Sequence, residues 1–125
     1  MPNDLLRSDL SRFDIFAYPC TFEETSCISI IDALSAGLRS VCSSIGALPE
    51  TSEGWARIYP YVEDRESHAT HFAKILKEEI ENIRSSESDS MLSKQASEYA
   101  NRWTWNKRID EWNSMFEKLR LKDGK

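Results

Sequence analysis

Two carboxylates and the segment between them are the residues of this sequence best suited to chemistry. Glu24 follows an apolar segment that ends at Pro19, and Asp32 lies eight positions further along, inside an apolar run. An unpaired carboxylate is costly to bury, so Asp32 is expected to face an open cleft. Two carboxylates at this spacing are weak evidence by themselves, since most such pairs are solvated surface charges. The elements around them must decide whether they form a site.

The elements around these carboxylates are predicted to be a strand, a polar loop and a helix. Residues 14–18 have the apolar character of a buried strand, and residues 29–36 suit a helix that ends at Gly37. In open parallel sheets, ligands bind beyond the carboxyl ends of the strands, which is where this loop would lie. The backbone amides from Thr25 to Ser29 would point outward at the helix start, where they favour phosphate or sugar oxygens.

Two further short strands follow this unit. Residues 40–43 and 57–59 are strand candidates, and the second must be short or lie at an edge because Pro60 follows it. Residues 45–50 are predicted to be an irregular turn, since they contain a glycine and a proline.

The second half of the chain carries three apolar stripes at helical spacing. The stripe of the first helix consists of Ala69, Phe72, Ala73, Leu76, Ile80 and Ile83. The stripe of the second helix consists of Leu92, Ala96, Tyr99, Ala100 and Trp103. The stripe of the third helix consists of Trp105, Ile109, Trp112, Phe116 and Leu119. Ser67 and Thr104 are candidate caps for the first and third helices, and the tryptophans are expected to pack in the core or at a domain interface.

The order of these elements predicts an α/β fold, in which a parallel sheet of about three strands is covered by helices. The chain has 125 residues, and neither a repeat nor a linker divides it. Residues 1–125 are therefore expected to belong to a single domain.

Composition and charge exclude several classes of function. The chain has 16 basic and 21 acidic side chains and a formal net charge of −5, the opposite of what a nucleic-acid backbone attracts. No apolar run approaches the roughly 18 residues that span a bilayer, and the first residues do not have a signal-peptide pattern. We therefore expect a cytoplasmic protein with no nucleic-acid partner.

Neither the cysteines nor the histidines predict a metal site. Cys20, Cys27 and Cys42 have spacings that match neither a zinc site nor a disulfide framework, so three reduced and mostly packed thiols are expected. His68 and His71 lack a third ligand at a suitable spacing and are expected to lie in solvent near a helix start. No metal and no cofactor is predicted.

The run from residue 14 to residue 50, DIFAYPCTFEETSCISIIDALSAGLRSVCSSIGALPE, resembles the donor-domain signature of the retaining glycosyltransferases called glycosyl transferases group 1. That signature is a strand ending in Pro, two acids separated by seven residues, a helix ending in small residues and Gly, a valine-rich strand, and a turn with Gly and Pro-Glu. The matching residues are Pro19, Glu24, Asp32, Ala33, Gly37, Val41, Gly46, Pro49 and Glu50.

The resemblance implies a fold and a site. Members have two Rossmann-like domains, an arrangement called GT-B, and this chain corresponds to part of the C-terminal, donor-binding domain. A UDP- or GDP-sugar would be bound through its ribose by Asp32 and through its sugar by the catalytic Glu24, without an obligatory metal. The donor loop would also include Thr25, Ser26, Cys27 and Ile28. The sequence departs from the family where Asp32 replaces the usual Glu, and where glycines are missing after Glu24.

The resemblance also implies that the domain is incomplete. Family members have an acceptor-binding domain and a basic phosphate-binding pair in segments that would precede Met1. The isolated chain is therefore expected to be inactive and to self-associate through an unpaired strand edge, and the full-length enzyme could be membrane-peripheral. Two alternatives are a catalytically silent interaction module that pairs with a separate acceptor-domain protein and, more weakly, a sugar-nucleotide epimerase.

Overall fold

A parallel sheet of three strands in the order β1-β2-β3 organises the fold. The computed structural model describes residues 3–83 and 88–123. The strands are β1 (Ile15–Tyr18), β2 (Arg39–Ser43) and β3 (Arg57–Tyr59). Ala17 of β1 lies opposite Val41 of β2, and Cys42 of β2 lies opposite Ile58 of β3. The central strand β2 is almost fully buried, as expected for a parallel strand with neighbours on both sides.

The described residues also contain six α-helices. They are α1 (Asn3–Asp9), α2 (Ile28–Ser35), α3 (Leu48–Ser52), α4 (Arg65–Asn82), α5 (Ser88–Arg102) and α6 (Trp105–Asp123), and a 3-10 turn (Leu10–Arg12) follows α1. The architecture is thus α/β with a partial Rossmann-like sheet, which confirms the predicted fold class. Among residues 3–83 and 88–123, none of the helices has both the length and the apolar character needed to cross a membrane.

Helix α2 ends just before Gly37, as the sequence predicts. Gly37 has a φ of +79°, which only glycine adopts without strain. Its N–H donates to the carbonyl of Leu34 at 3.1 Å, and the N–H of Leu38 donates to the carbonyl of Ala33 at 3.0 Å. This pair of bonds is a Schellman motif, and it turns the chain directly into β2.

Helix α5 closes the core over α2. One buried cluster of the core consists of Cys27, Ile30, Leu34, Cys42, Ile45, Leu48 and Tyr99. The Tyr99 hydroxyl donates to the carbonyl of Thr51 at 2.8 Å, and the Gln95 amide donates to the carbonyls of Leu34 and Leu38 at 3.1 and 2.9 Å. These bonds tie α5 to the backbone of α3 and to the segment in which α2 ends. The thiols of Cys27 and Cys42 are buried, as predicted for most of the cysteines.

Two local predictions are wrong. The segment predicted as an irregular turn contains α3, because Pro49 lies in the first turn of that helix, where its missing N–H costs nothing. Helix α4 is capped by Asp64, whose carboxylate accepts from the N–H of Ser67 at 2.8 Å, so Ser67 is the donor in this cap and not the capping residue. Thr104 does accept from the N–H of Lys107, at 3.3 Å, as a cap of α6.

The predicted buried face of α4 is wrong in part. Phe72 and Leu76 are half-buried, but Ile80 is 51% exposed, whereas His68 and Glu79 are buried. Glu79 lies 3.1 Å from Arg39 and 3.3 Å from Arg57, which extend from the starts of β2 and β3. The expected exposure of His68 fails for a similar reason, because its Nε2 is hydrogen-bonded to the hydroxyl of Tyr59, at 3.0 Å. Polar side chains on the strands therefore help to determine which face of α4 is buried.

The stripe on α6 does not pack in the described core. Trp105 is 84% exposed, and Leu119, the least exposed of the five stripe residues, is 49% exposed. Of the two roles expected for the tryptophans, core packing is wrong for Trp105 and Trp112, whereas Trp103 packs half-buried against the core. An interface role stays a prediction. Phe13, before the edge strand β1, is also exposed, while Ile15 and Phe16 are half-buried.

Candidate functional site

The loop between β1 and α2 is held over the carboxyl ends of the strands. The Ser43 hydroxyl, at the end of β2, donates to the carbonyl of Cys20 at 2.8 Å. The N–H of Ala47 donates to the carbonyl of Glu24 at 2.9 Å. The loop that carries Glu24 is therefore docked on the loop after β2, at the edge where open α/β sheets bind ligands.

The carboxylate of Glu24 is half-buried and belongs to a small polar cluster. The Tyr18 hydroxyl donates to Glu24 Oε1, and the Cys20 thiol lies 3.9 Å from the same oxygen. The hydrogen bond to Glu24, together with burial, raises the pKa of Tyr18 well above its ordinary value. Burial likewise raises the pKa of the nearby Cys27 thiol. The Tyr18 phenol and the Cys27 thiol therefore stay protonated near neutral pH, and Glu24 accepts from the Tyr18 hydroxyl.

Asp32 lies on the wall of an open cavity of about 300 Å³. The cavity is lined by Arg7, Ser26, Ile28, Ile31, Asp32, Trp103, Thr104, Trp105 and Arg108. Helix α2 supplies its floor, α1 supplies one basic wall, and the junction of α5 and α6 supplies an aromatic and basic wall. An apolar pocket with a few polar groups and this volume is at the lower end of the range that small ligands occupy.

The charged groups of the cavity are two arginines and one carboxylate. The Arg7 Nε lies 3.0 Å from Asp32 Oδ2, with side chains that are 54% and 29% exposed. The Arg108 guanidinium lies 4.6 Å from the centre of the Trp103 ring and pairs with Glu111 at 2.6 Å. Guanidinium groups suit the planar, bidentate recognition of phosphate, and tryptophan rings suit stacking on an aromatic base.

The indole nitrogen of Trp103 is not exposed in the cavity. Its Nε1 is buried and has no hydrogen-bond partner among the residues that the structure describes. Buried donors are normally paired, so this one is an exception that calls for an acceptor.

The structure separates the predicted site residues into two groups. Ser26, Ile28 and Asp32 line the cavity, whereas Glu24 and Thr25 are not part of its lining. Cys27 is buried in the core, so its side chain is turned away from any ligand in the cavity.

Sequence reasoning missed the two arginines of the cavity. Arg7 and Arg108 are about a hundred positions apart in the sequence, and no local spacing joins them to Asp32. The one signal available was the position of Arg108, which follows Trp105 by one helical turn and therefore shares its side of α6. Within the described residues, no group of three or more His, Cys, Asp or Glu side chains could hold a metal.

Fold and cavity together define an α/β protein with a Rossmann-like parallel sheet and a mixed polar and aromatic cleft beside the helix that follows β1. No protein-family model, no curated protein and no solved structure matches the chain. The glycosyltransferase resemblance therefore depends on the residues between 14 and 50 that carry it.

Proposed function

We propose that this chain binds the UDP- or GDP-sugar donor of a retaining glycosyltransferase that transfers a hexosyl group to an acceptor. The single observation that carries the proposal is the cavity in which Asp32 lies beside Arg7, opposite the tryptophans at the start of α6. Such a cavity offers a carboxylate for ribose hydroxyls, a cation for phosphate and the exposed Trp105 ring for a base.

Asp32 is assigned to the ribose. Its carboxylate is partly exposed and is held by one bond to Arg7, so one oxygen is oriented while the group stays open to the cavity. A carboxylate accepts hydrogen bonds from two neighbouring hydroxyls, as the ribose of a nucleotide presents them. Because Asp is one methylene shorter than the Glu usual in the resembled family, a water could complete this contact.

Arg7 and Arg108 are assigned to the diphosphate. In the resembled family a basic pair stabilises the charge that develops on the leaving nucleoside diphosphate, and that interaction is a large electrostatic contribution to catalysis. The two arginines that line this cavity supply positive charge from within the chain itself. Arg7 would then bridge the diphosphate and Asp32.

Glu24 is assigned to the donor sugar. It lies outside the lining of the cavity but on the same loop as Ser26, at the carboxyl end of β1. Its bond to the Tyr18 hydroxyl fixes one oxygen and leaves the carboxylate able to accept from sugar hydroxyls. Ser26 and Ile28 lie between Glu24 and Asp32 in the sequence and line the cavity, so the sugar would extend from the cavity along this loop.

A second candidate function is a catalytically silent interaction module. The exposed apolar stripe of α6 and the unpaired outer edge of β1 favour it, since both are surfaces that a partner chain could cover. A module of this kind requires no nucleotide binding, so a binding measurement separates the two functions.

The test is a calorimetric titration of the chain with UDP and with GDP. We expect one of them to bind with a high-micromolar Kd, and Asp32→Ala to weaken that binding at least about tenfold, or about 1.4 kcal/mol. Asp9→Ala is the matched control, because Asp9 also pairs with an arginine, Arg12 at 3.4 Å, but lies outside the cavity. Binding that Asp32→Ala and Asp9→Ala leave equally intact would contradict the proposed site, and the absence of binding would favour the silent module.

A further inference from the structure

The exposed side of α6 has the residue spacing of a coiled-coil seam. Its apolar residues are separated by four, three, four and three positions, and we call them the α6 seam: Trp105, Ile109, Trp112, Phe116 and Leu119. A strict repeat of this kind gives a narrow stripe that packs against another helix. The rings of Trp112 and Phe116 lie 5.6 Å apart, which makes the stripe continuous along the helix.

No described part of the chain covers this seam. All residues from 109 to 122 are exposed, including large side chains that rarely remain in solvent together. A row of five large exposed apolar side chains on one face of a helix marks an interaction site.

The charges beside the seam indicate what covers it. In the heptad that the seam defines, Arg108 and Lys122 occupy the g positions and Arg120 an e position, the places that flank a coiled-coil interface. The other flanking residues from 105 to 122 are uncharged: Asn106, Asn113 and Met115. The acids of this stretch lie at b and c positions, away from the seam: Asp110, Glu111 and Glu117. The seam thus has basic borders, although Arg108 is also paired with Glu111.

We propose that the α6 seam is the docking surface for a partner helix whose own apolar stripe is flanked by acidic residues. Two copies of α6 would instead bring six cations and no acid to the edges of one seam, which disfavours a second copy of this chain. A bilayer surface is disfavoured as well, because the stripe is narrow and the net charge of −5 opposes binding to anionic lipid.

The test uses two synthetic helices of about three heptads with the same leucine seam, one with Glu and one with Lys at every e and g position. We expect the labelled Glu peptide to bind the chain in fluorescence anisotropy, and the Lys peptide to bind at least about threefold more weakly. The double variant Arg120→Glu, Lys122→Glu should reverse that preference. Equal binding of both peptides, or an unchanged preference in the double variant, overturns the proposal.

Matched leucines on opposite sides of α6 control for folding. Leu119 lies in the seam and Leu121 faces away from it, yet both are exposed, at 49% and 81%. Leu119→Glu should abolish binding of the Glu peptide and Leu121→Glu should leave it unchanged, with both variants keeping the wild-type circular dichroism spectrum. Sedimentation and flotation with phosphatidylserine vesicles complete the test. Self-association or vesicle binding that is lost in Leu119→Glu alone would assign the seam to a second copy or to a membrane and overturn the proposal.

Discussion

Gly46 and the backbone of Glu24 are in contact without room for a side chain between them. A Cβ atom on Gly46 would lie 2.8 Å from the carbonyl oxygen of Glu24 and 2.9 Å from its nitrogen. Because Gly46 has no side chain, the loop after β2 can pack against the loop that carries Glu24, and the Ala47 N–H donates to the Glu24 carbonyl. The position of the candidate catalytic carboxylate thus depends on a glycine in another loop.

Replacing Gly46 by alanine is therefore expected to destabilise the protein by roughly 2 kcal/mol or more. The clash with Glu24 adds to the strain of placing alanine at a φ of +56°. Gly54→Ala is the matched control, because Gly54 has a φ of +83° but nothing within 4 Å of a Cβ, so only the strain of about 1 kcal/mol applies. Urea denaturation measures both, and equal losses would show that the contact with Glu24 contributes nothing.

The hydrogen bond between Tyr18 and Glu24 is expected to couple the two side chains energetically. Tyr18→Phe removes the donor and should cost about 0.5–1.5 kcal/mol of unfolding free energy. Glu24→Ala removes the acceptor, so the double variant should lose less than the sum of the single losses. Glu24→Gln retains an acceptor oxygen without the charge, so it distinguishes the contribution of the hydrogen bond from that of the negative charge. Strict additivity of the single variants would argue that this hydrogen bond is not formed in solution.

Glu79 and Glu78 are adjacent acids that pair with arginines in different surroundings. Glu79 is 5% exposed beside Arg39, which is 14% exposed, whereas Glu78 pairs with Arg57 at 2.7 Å in a largely exposed position. Glu79→Ala should cost about 3 kcal/mol, because it leaves the largely buried Arg39 charge without an acidic partner. Glu78→Ala should cost less than about 1 kcal/mol. Thermal unfolding of the two variants at one pH compares them, and similar losses would contradict the buried character of the Glu79 pair.

Alkaline pH is expected to destabilise the fold through Cys42. Burial raises the pKa of this thiol from 9.0 to about 12. The pKa of the Cys42 thiol is higher in the folded state than in the unfolded chain. The contribution of this thiol to the free energy of unfolding is therefore complete below pH 9 and is lost as the pH rises from 9 through about 12. In this window the loss approaches about 1.4 kcal/mol per pH unit for this group. Denaturation curves should therefore show a shallower pH dependence above pH 9 for Cys42→Ala than for wild type, and identical slopes would count against the burial of the thiol.

The strands and most helices could be predicted because their signals are local. The apolar run before Pro19, the small residues before Gly37 and the stripe on α5 each lie within one segment, and each marks an element that the structure contains. The failures share a different cause. The buried face of α4 depends on Arg39 and Tyr59, which come from strands far away in the sequence, and no periodicity within α4 reveals such partners.

The candidate site could be predicted in part for the same reason. The position of Asp32 at a cleft followed from a carboxylate inside an apolar helix, which is a local property. Arg7 and Arg108 reach that cleft only because α1 and the α5–α6 junction meet over α2. The side chain of Cys27 was assigned to the donor loop on the resemblance, but its position at the N-cap of α2 directs it into the core.

The exposure of α6 has a consequence for amide hydrogen exchange. A helix of this length has marginal stability in water when tertiary packing contributes little, and residues 109–122 are exposed throughout. Their amides are expected to exchange through local fraying of α6. Their exchange rates should be orders of magnitude higher than those of the β2 amides, which exchange only when the whole core unfolds. Slower exchange confined to these residues would therefore map an occupied seam in the intact protein.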